Sequence, residues 1–304
     1  MPGKLQQRPV DLVIVGHLAF NEDRTPVGTQ MSVGGAAYYC AVGASVASPE
    51  RVGIVATVGL DFDIAAVAAL GVNMDGVVIK TEGSSARFII TQLRDGSRTF
   101  EAAWGLAELV DLSTFPISYS LAQHVHLATA PPVQQLVWIQ RLRELPGHPR
   151  VSADTFEHFV RVFPDETRRV LELTDMVFVN EEEAALLGLG NCRKLGKPCI
   201  LKRGAQGARY INRTVVIDAP AQPVEAIETT GAGDVLAGAF LSLRTKGIPP
   251  AQALRAAVET ATASVTDFGA NHEHLSRTID GVRARWQDRQ TNIHHRRIRR
   301  MEEA

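Results

Sequence analysis

The sequence predicts an α/β fold on a mainly parallel central sheet. Short apolar runs rich in Val and Ile recur along the 304 residues, and helix-like segments separate one run from the next. Strands joined through helices pair in parallel, and the helices then cover both faces of the sheet. One stretch adds a different feature: two strand-like runs with only a turn between them, which a parallel core cannot easily take in.

In chain order, residues 10–16 (VDLVIVG) read as a buried strand and 34–47 as a helix of small residues. Residues 51–59 (RVGIVATVG) form the next strand, with a helix over 63–70. Further strands fit 123–128, 151–153, 176–179 and 199–202. Helices fit 133–144, 166–173, 181–187, 234–246 and 250–266. The exception lies at 86–93 and 98–102, two runs around Asp95-Gly96, a hairpin turn signal. This hairpin is expected to project as a lid drawn from about 22–33 and 84–103, and the short segment ahead of Gly34 keeps that lid small. Residues 1–286 make one domain. Residues 287–304 are polar and basic, with the run HHRRIRR, and read as a flexible tail.

With 45% hydrophobic residues the chain can bury a sizeable core, and its formal net charge of −1 gives no global attraction to nucleic acid or to an anionic membrane. No apolar run approaches the ~18 residues of a membrane span. The polar N-terminus lacks the apolar stretch of a secretory signal. Cys40, Cys192 and Cys199 fit neither a disulfide framework nor a paired metal motif. The expected setting is the reducing cytoplasm. A homodimer is compatible with all of this, and nothing in the sequence fixes it.

The densest local signal is Glu228-Thr229-Thr230-Gly231-Ala232-Gly233-Asp234, followed by the small-residue run VLAGAF over 235–240. The glycines let the backbone turn sharply and approach a ligand. A helix that starts there turns free N–H groups and the positive end of its dipole toward whatever lies in front, a setting for phosphate. Asp234 stands at the same helix start. A carboxylate beside an anion hole is what phosphoryl transfer to an alcohol needs: a base for the hydroxyl proton, and amides for the moving charge. The same residues also read as a glycine turn with a helix-capping aspartate. A dinucleotide fingerprint fails at Leu236, where a third glycine belongs, and a Walker A loop is absent.

This segment resembles the C-terminal signature of the ribokinase-like (PfkB) carbohydrate kinases, usually written DTTGAGD. Three further stretches resemble family motifs in the right order. Gly34-Gly35 opens the first helix, Asn180-Glu181-Glu182-Glu183 looks like the N-x-x-E motif, and Lys202-Arg203-Gly204-Ala205-Gln206-Gly207 looks like the G-x-x-G nucleotide segment. Residues 261–270 (ATASVTDFGA) resemble the helix and loop closing the nucleotide site. The resemblance spans roughly residues 10–275 and implies a ribokinase-like three-layer fold with a small β-hairpin lid. It implies an ATP-dependent kinase that passes the γ-phosphate to a hydroxyl of a sugar or sugar-like alcohol, with Mg²⁺ as cofactor. It also implies roles. Asp234 is the base, and Gly231, Ala232 and Gly233 line the anion hole. Asn180, Lys202, Gly204, Gly207 and Thr230 bind the nucleotide, and Glu183 organises Mg²⁺ through water. Asn21, Gly34, Gly35 and Tyr39 bind the acceptor. Without the resemblance, Asn180 reads as a strand end, Glu183 as part of a solvated helix face and Lys202 as an edge-strand lysine.

The acceptor side departs from the family pattern. The first strand of such kinases usually leads to an aspartate that grips two substrate hydroxyls. Here it leads to Asn21, a neutral residue with one acceptor oxygen and N–H groups that seek acceptors on the substrate. Ala36-Ala37-Tyr38-Tyr39 stands where sugar sites tend to carry lysine and asparagine, and Ala128 falls where ribose kinases tend to have a glutamate. The pocket becomes less acidic and more aromatic. Phe20, Tyr39 and Trp104 are candidates for stacking, beside the alternative that the aromatics, Tyr38 among them, are simply core. Glu228 replaces the usual aspartate and reshapes the family's monovalent-cation site by one methylene, which sets potassium activation apart from the other expectations. Three readings stay open: a sugar or polyol kinase, a nucleoside kinase, and a non-catalytic ligand-binding protein on the same fold.

Overall fold

The computed structural model describes residues 10–266 except 26–27, 94–97, 111, 113–114 and 191, together with residues 281 and 284. The strands are β1 (Leu12–Val15), β2 (Ala19–Thr25), β3 (Gly28–Gly34), β4 (Val52–Gly59), β5 (Asn73–Lys80), β6 (Ala86–Gln92), β7 (Arg98–Ala103), β8 (His124–Leu127), β9 (Arg150–Asp154), β10 (Met176–Asn180), β11 (Cys199–Lys202), β12 (Ala208–Ile211) and β13 (Val216–Ala219). The helices are α1 (Ala36–Ala44), α2 (Ile64–Ala68), α3 (Pro132–Arg143), α4 (Glu157–Val162), α5 (Pro164–Leu173), α6 (Glu181–Leu186), α7 (Ala232–Thr245) and α8 (Pro250–Ser264).

Nine strands form the central sheet in the order β13-β12-β11-β10-β9-β8-β1-β4-β5. From β11 to β5 every neighbour runs parallel, and β12 and β13 fold back antiparallel at one edge. The side chains of β1 show why helices cover both faces. Leu12 and Ile14 enter a core shared with α1, α7 and α8, while Val13 and Val15 enter one shared with α3 and α5. All four are fully buried, and burying each such side chain stabilises the fold by about 1.5–3 kcal/mol. On the first face α1 and α7 approach backbone to backbone. A Cβ on Gly43 would run into the Val235 carbonyl, and one on Gly238 into the Cys40 carbonyl. This approach brings Cys40 Sγ to 4.0 Å from Asp234 Oδ1.

A separate four-stranded sheet, ordered β3-β2-β6-β7, forms the lid. The expected hairpin is β6–β7; its turn at Asp95-Gly96 lies outside the described residues, as do 267–270 and the tail 287–304. The segment before Gly34 is not a short connection. It is a second hairpin, β2 against β3, and β2 pairs in parallel with β6. Its sequence hides this because β2 carries charge: Glu22 is tucked in by ion pairs with Arg24 (2.7 Å) and Arg87 (3.0 Å), not by apolar neighbours. The edge strands β5 and β13, each flanked on one side only, also escape the apolar-run criterion, as does the four-residue β12 between β11 and β13. Among the described residues no helix is long and apolar enough to cross a membrane.

Candidate active site

Parallel strands deliver their carboxyl ends, and the loops beyond them, to one side of the sheet. His17 follows β1, Thr129 follows β8, Asp154 ends β9, Asn180 ends β10 and Lys202 ends β11. Helix α7 begins in front of them. Its N-cap, Gly231, has φ +75°, and a Cβ there would also run into the Tyr39 ring, so only glycine fits. Two cavities meet at this point, one of about 680 Å³ and one of about 440 Å³. Asn180, Lys202, Thr229 and Gly233 line both.

The residues expected to bind nucleotide separate as follows. Gly204, Gly207 and Ala232 line the larger cavity, with Asn180, Lys202 and Gly233 at the junction. Thr230 and Gly231 line the smaller cavity together with Asp234 and Glu183, and Thr229 lines both. The Ala232 N–H donates to the Thr229 carbonyl at 3.3 Å, which leaves Gly233 the better-placed amide at the helix start. Asn21, Gly35 and Tyr39 line the smaller cavity. Gly34 lies behind them, where a Cβ would strike the Asn21 amide. Asn21 Nδ2 donates to the Tyr39 hydroxyl at 2.9 Å. One of the two N–H donors expected to seek an acceptor on the substrate is therefore used inside the protein. Phe20 packs on Phe62, Tyr38 and Ala128 are fully buried core, and Thr129 rather than Ala128 faces the cavity.

Three carboxylates share one lysine here. Lys202 Nζ donates to Asp154 Oδ1 at 2.6 Å, while Asp154 Oδ2 is buried with no hydrogen-bond partner among the described residues. Glu183 and Asn180 form a capping box at the start of α6: Glu183 N–H donates to Asn180 Oδ1 at 2.8 Å, and Asn180 N–H donates back to the Glu183 carboxylate at 2.9 Å. Thr155 Oγ1 donates to the same carboxylate at 2.6 Å. Burial pushes Asp234 up to about 8, with Asp154 and Glu183 adding to the rise and Lys202 opposing it. Burial pushes Asp154 up to about 6 against the pull of Lys202. For Lys202, burial disfavours the charge, but Asp154, Glu183 and Asp234 together hold its pKa above the ordinary lysine range.

The surplus negative charge and the orphaned Asp154 oxygen fit a cation. Among the described residues no three carboxylate, His or Cys side chains close a direct ligand set, and Glu183 already accepts from protein donors. The residues thus fit hydrated Mg²⁺ carried on phosphates, a mode this small, water-retaining ion favours.

Sequence reading missed several lining residues. Asp154 had a usable signal: an acid closing a strand behind the buried run Val151, Ser152 and Ala153 must find a cation. Of the aromatic wall only Trp104 was a stacking candidate from the sequence; its other members come from distant segments and carried no signal. Trp104 sits at its centre, with ring centroids 5.1 Å from His17, 5.3 Å from Phe88 and 6.1 Å from Phe159, and Phe156 stands 5.7 Å beyond Phe159.

Residues 10–276 match the family described as pfkB family carbohydrate kinase. The chain belongs to this family. As a pfkB kinase it is a phosphotransferase that moves phosphate onto a hydroxyl of a sugar or sugar-like alcohol, and members of the family use ATP and Mg²⁺. Among its relatives, a cytidine kinase of Thermococcus kodakarensis is 27% identical over 277 residues, covering 86% of this chain and 98% of that one. A nucleoside kinase of Methanothermobacter thermautotrophicus is 24% identical over 302 residues, covering 91% and 96%. The structure of a ribokinase II from E. coli in complex with ATP and Mg²⁺ superposes with a TM-score of 0.73 at 21% identity, covering 91% of this chain and 99% of that one. That likeness extends to the ribokinase fold of the pfkB kinase.

Proposed function

We propose that this kinase phosphorylates a ribose hydroxyl of nucleosides, using ATP and Mg²⁺. The observation that carries the reading is the wall of Phe88, Trp104, Phe156 and Phe159 along the smaller cavity. A free sugar offers such a wall only the small C–H face of a puckered ring, whereas a nucleobase offers two planar π faces that match it. The relatives named cytidine kinase and nucleoside kinase favour the same reading.

In this scheme the base lies on the rings and the ribose extends to Asp234. Asp234 takes the proton of the attacking hydroxyl, and the burial that raises its pKa makes it a stronger base than an exposed aspartate. The Gly233 amide, with Gly231 and Ala232 shaping the turn, faces charge on the moving phosphoryl group. Lys202 and Asn180 stand at the junction, where the phosphates of ATP pass from one cavity to the other. Bound Mg²⁺ supplies positive charge to the phosphate oxygens, and Asp154 and Glu183 hold its water shell. A single kinase domain with its lid, in a reducing cytoplasm, belongs to the same reading; Cys40, Cys192 and Cys199 are all free and buried.

The test is ATP-dependent turnover of ribonucleosides against pentoses, hexoses and inositols at equal concentration. Higher kcat/KM for nucleosides is expected. Equal or faster turnover of free sugars overturns the reading.

A further inference from the structure

His17 lines the acceptor cavity although only 2% of its surface is exposed. Its Nε2 lies 3.1 Å from Gln134 Oε1. The Gln134 amide is itself oriented, because its Nε2 donates to the carbonyls of Ala107 (3.4 Å) and Glu108 (3.3 Å). With the amide nitrogen committed to two carbonyls, only the oxygen faces His17. An oxygen cannot donate, so the imidazole hydrogen must sit on Nε2. Among the described residues nothing hydrogen-bonds Nδ1, and that atom is not sealed in the protein. A neutral imidazole with hydrogen on Nε2 offers Nδ1 as a bare acceptor. Burial favours the neutral form, pushing the pKa down to about 4 despite the bond to Gln134.

We infer that His17 is a specificity-determining residue of this kinase: its Nδ1 accepts a hydrogen bond from an exocyclic amino group on the base, selecting cytidine and adenosine over uridine and inosine. This rests on the nucleoside reading given above. The ring lines the same cavity as Trp104, with centroids 5.1 Å apart and planes inclined at 67°, so in the proposed pose a base stacked on the aromatic wall presents an edge to it. A base that presents a carbonyl at that edge sets lone pair against lone pair. A base with only a C–H leaves both sides of the contact without a hydrogen bond. A site built around such a bond rejects the analogue lacking it more sharply than an apolar pocket rejects a missing methylene. Gln134 is then a positioning residue, since it fixes the tautomer from the start of α3, its own amide held by carbonyls of the segment that follows β7.

The experiment compares kcat/KM for cytidine, uridine and the pyrimidin-2-one ribonucleoside, which lacks the amino group and adds no bulk, in the wild type and in His17→Phe. The wild type is expected to prefer cytidine over both by at least about tenfold, and the variant by no more than about threefold, with the ATP KM unchanged. ¹⁵N NMR of the full-length wild type reads the tautomer without any substitution, and is expected to show His17 protonated at Nε2 and bare at Nδ1. A cytidine-to-analogue ratio near one in the wild type overturns the inference, as does a ratio that persists in a folded His17→Phe or a hydrogen on Nδ1. If nucleosides are turned over without that preference, the nucleoside reading stands and the role of His17 falls. If no nucleoside is turned over, both fall.

Discussion

The two cavities that meet at Asp234 are built from different materials. The larger cavity, proposed for the nucleotide, is walled mostly by glycines and short aliphatic side chains such as Gly204, Gly207, Ala221, Ala226, Val258 and Ala261. The acceptor cavity is walled by rings and by side chains with directed polar atoms: His17, Asn21, Tyr39, Phe88, Trp104 and Asp234. Backbone and small side chains serve a ligand part common to every turnover. Rings and oriented amides discriminate among acceptors. Substitutions on the shared boundary should therefore damage chemistry, and substitutions on the acceptor wall should change preference while leaving ATP handling alone.

The largest effect is expected at the boundary itself. Asp234→Asn removes the base, and kcat should fall about 10²–10⁴-fold while ATP still binds. In the wild type, with both substrates below saturation, kcat/KM should rise with pH and level off above about 8, where Asp234 is ionised. The same variant should be more stable than the wild type. The folded pKa of Asp234 lies above its unfolded value of 3.8, so ionising the unfolded chain draws stability away as pH rises. The gain from Asn should be absent in acid, grow above about 4 and level off beyond about 8. Thermal melts across that range check it, and a variant that is less stable at high pH contradicts the burial argument.

Next in size is Lys202→Met. Asp154 is wholly buried and Lys202 nearly so, and removing one partner of such a pair typically costs about 3–5 kcal/mol. Denaturant unfolding should show that loss, and adding Asp154→Asn should recover most of it. If the double variant is no better than the single one, the cost belongs to lost packing of the lysine stem rather than to a stranded charge.

These expectations also explain what could be read from the sequence. The nucleotide side follows from short contiguous stretches, because a helix start and its glycine turn are local: 228–234 and 180–183 carry their own geometry. The capping box of Asn180 and Glu183 is one such case, although the burial of Glu183, only 2% exposed, could not be inferred from a helix that looks solvated. The acceptor side follows from no single stretch. Trp104 reaches His17 and Phe88 across 87 and 16 positions of chain, as their numbers show; the β6–β7 hairpin sets Trp104 near Phe88, but the pairing of β2 with β6 is needed to bring that hairpin to the end of β1 and His17. That pairing depends on the charged strand β2, whose pattern gave no sign of a sheet. The oriented amide of Gln134 was equally out of reach, since an ordinary helix-start glutamine gives no hint that it holds a histidine.

A smaller effect tests the wall directly. Trp104→Ala should lower kcat/KM for nucleosides by about 5–100-fold, the range that loss of a base-stacking aromatic gives, with the ATP KM unchanged. A free pentose, which makes no use of the ring, should lose much less. Equal losses for ribose and nucleoside would mean that Trp104 acts by holding the lid together, and the distinction between the two cavities would fail at its central residue.

The smallest effect, and the finest test of the comparison, is expected for Asn21→Asp. The substitution keeps an oxygen where Asn21 faces the cavity and leaves the Tyr39 hydroxyl free to donate instead of accept, so the local geometry survives. It adds a fourth carboxylate to a site in which three already share Lys202. Tyr39 lies against Gly231 at the start of α7, so the new charge stands close to Asp234 and makes its ionisation harder. The sign follows: the apparent pKa of the base moves up, activity at neutral pH falls a few-fold, and most of it returns in more alkaline buffer. In return, a carboxylate accepts charge-assisted bonds from two adjacent hydroxyls, so preference for ribonucleosides over 2′-deoxyribonucleosides should widen modestly. The measurement is kcat/KM for a ribo and deoxyribo pair across pH in both proteins. A shifted profile with unchanged ATP KM places Asn21 on the acceptor side and explains its neutrality as relief of charge around Asp234. A profile and preference identical to wild type would remove Asn21 from contact with either the substrate or the base.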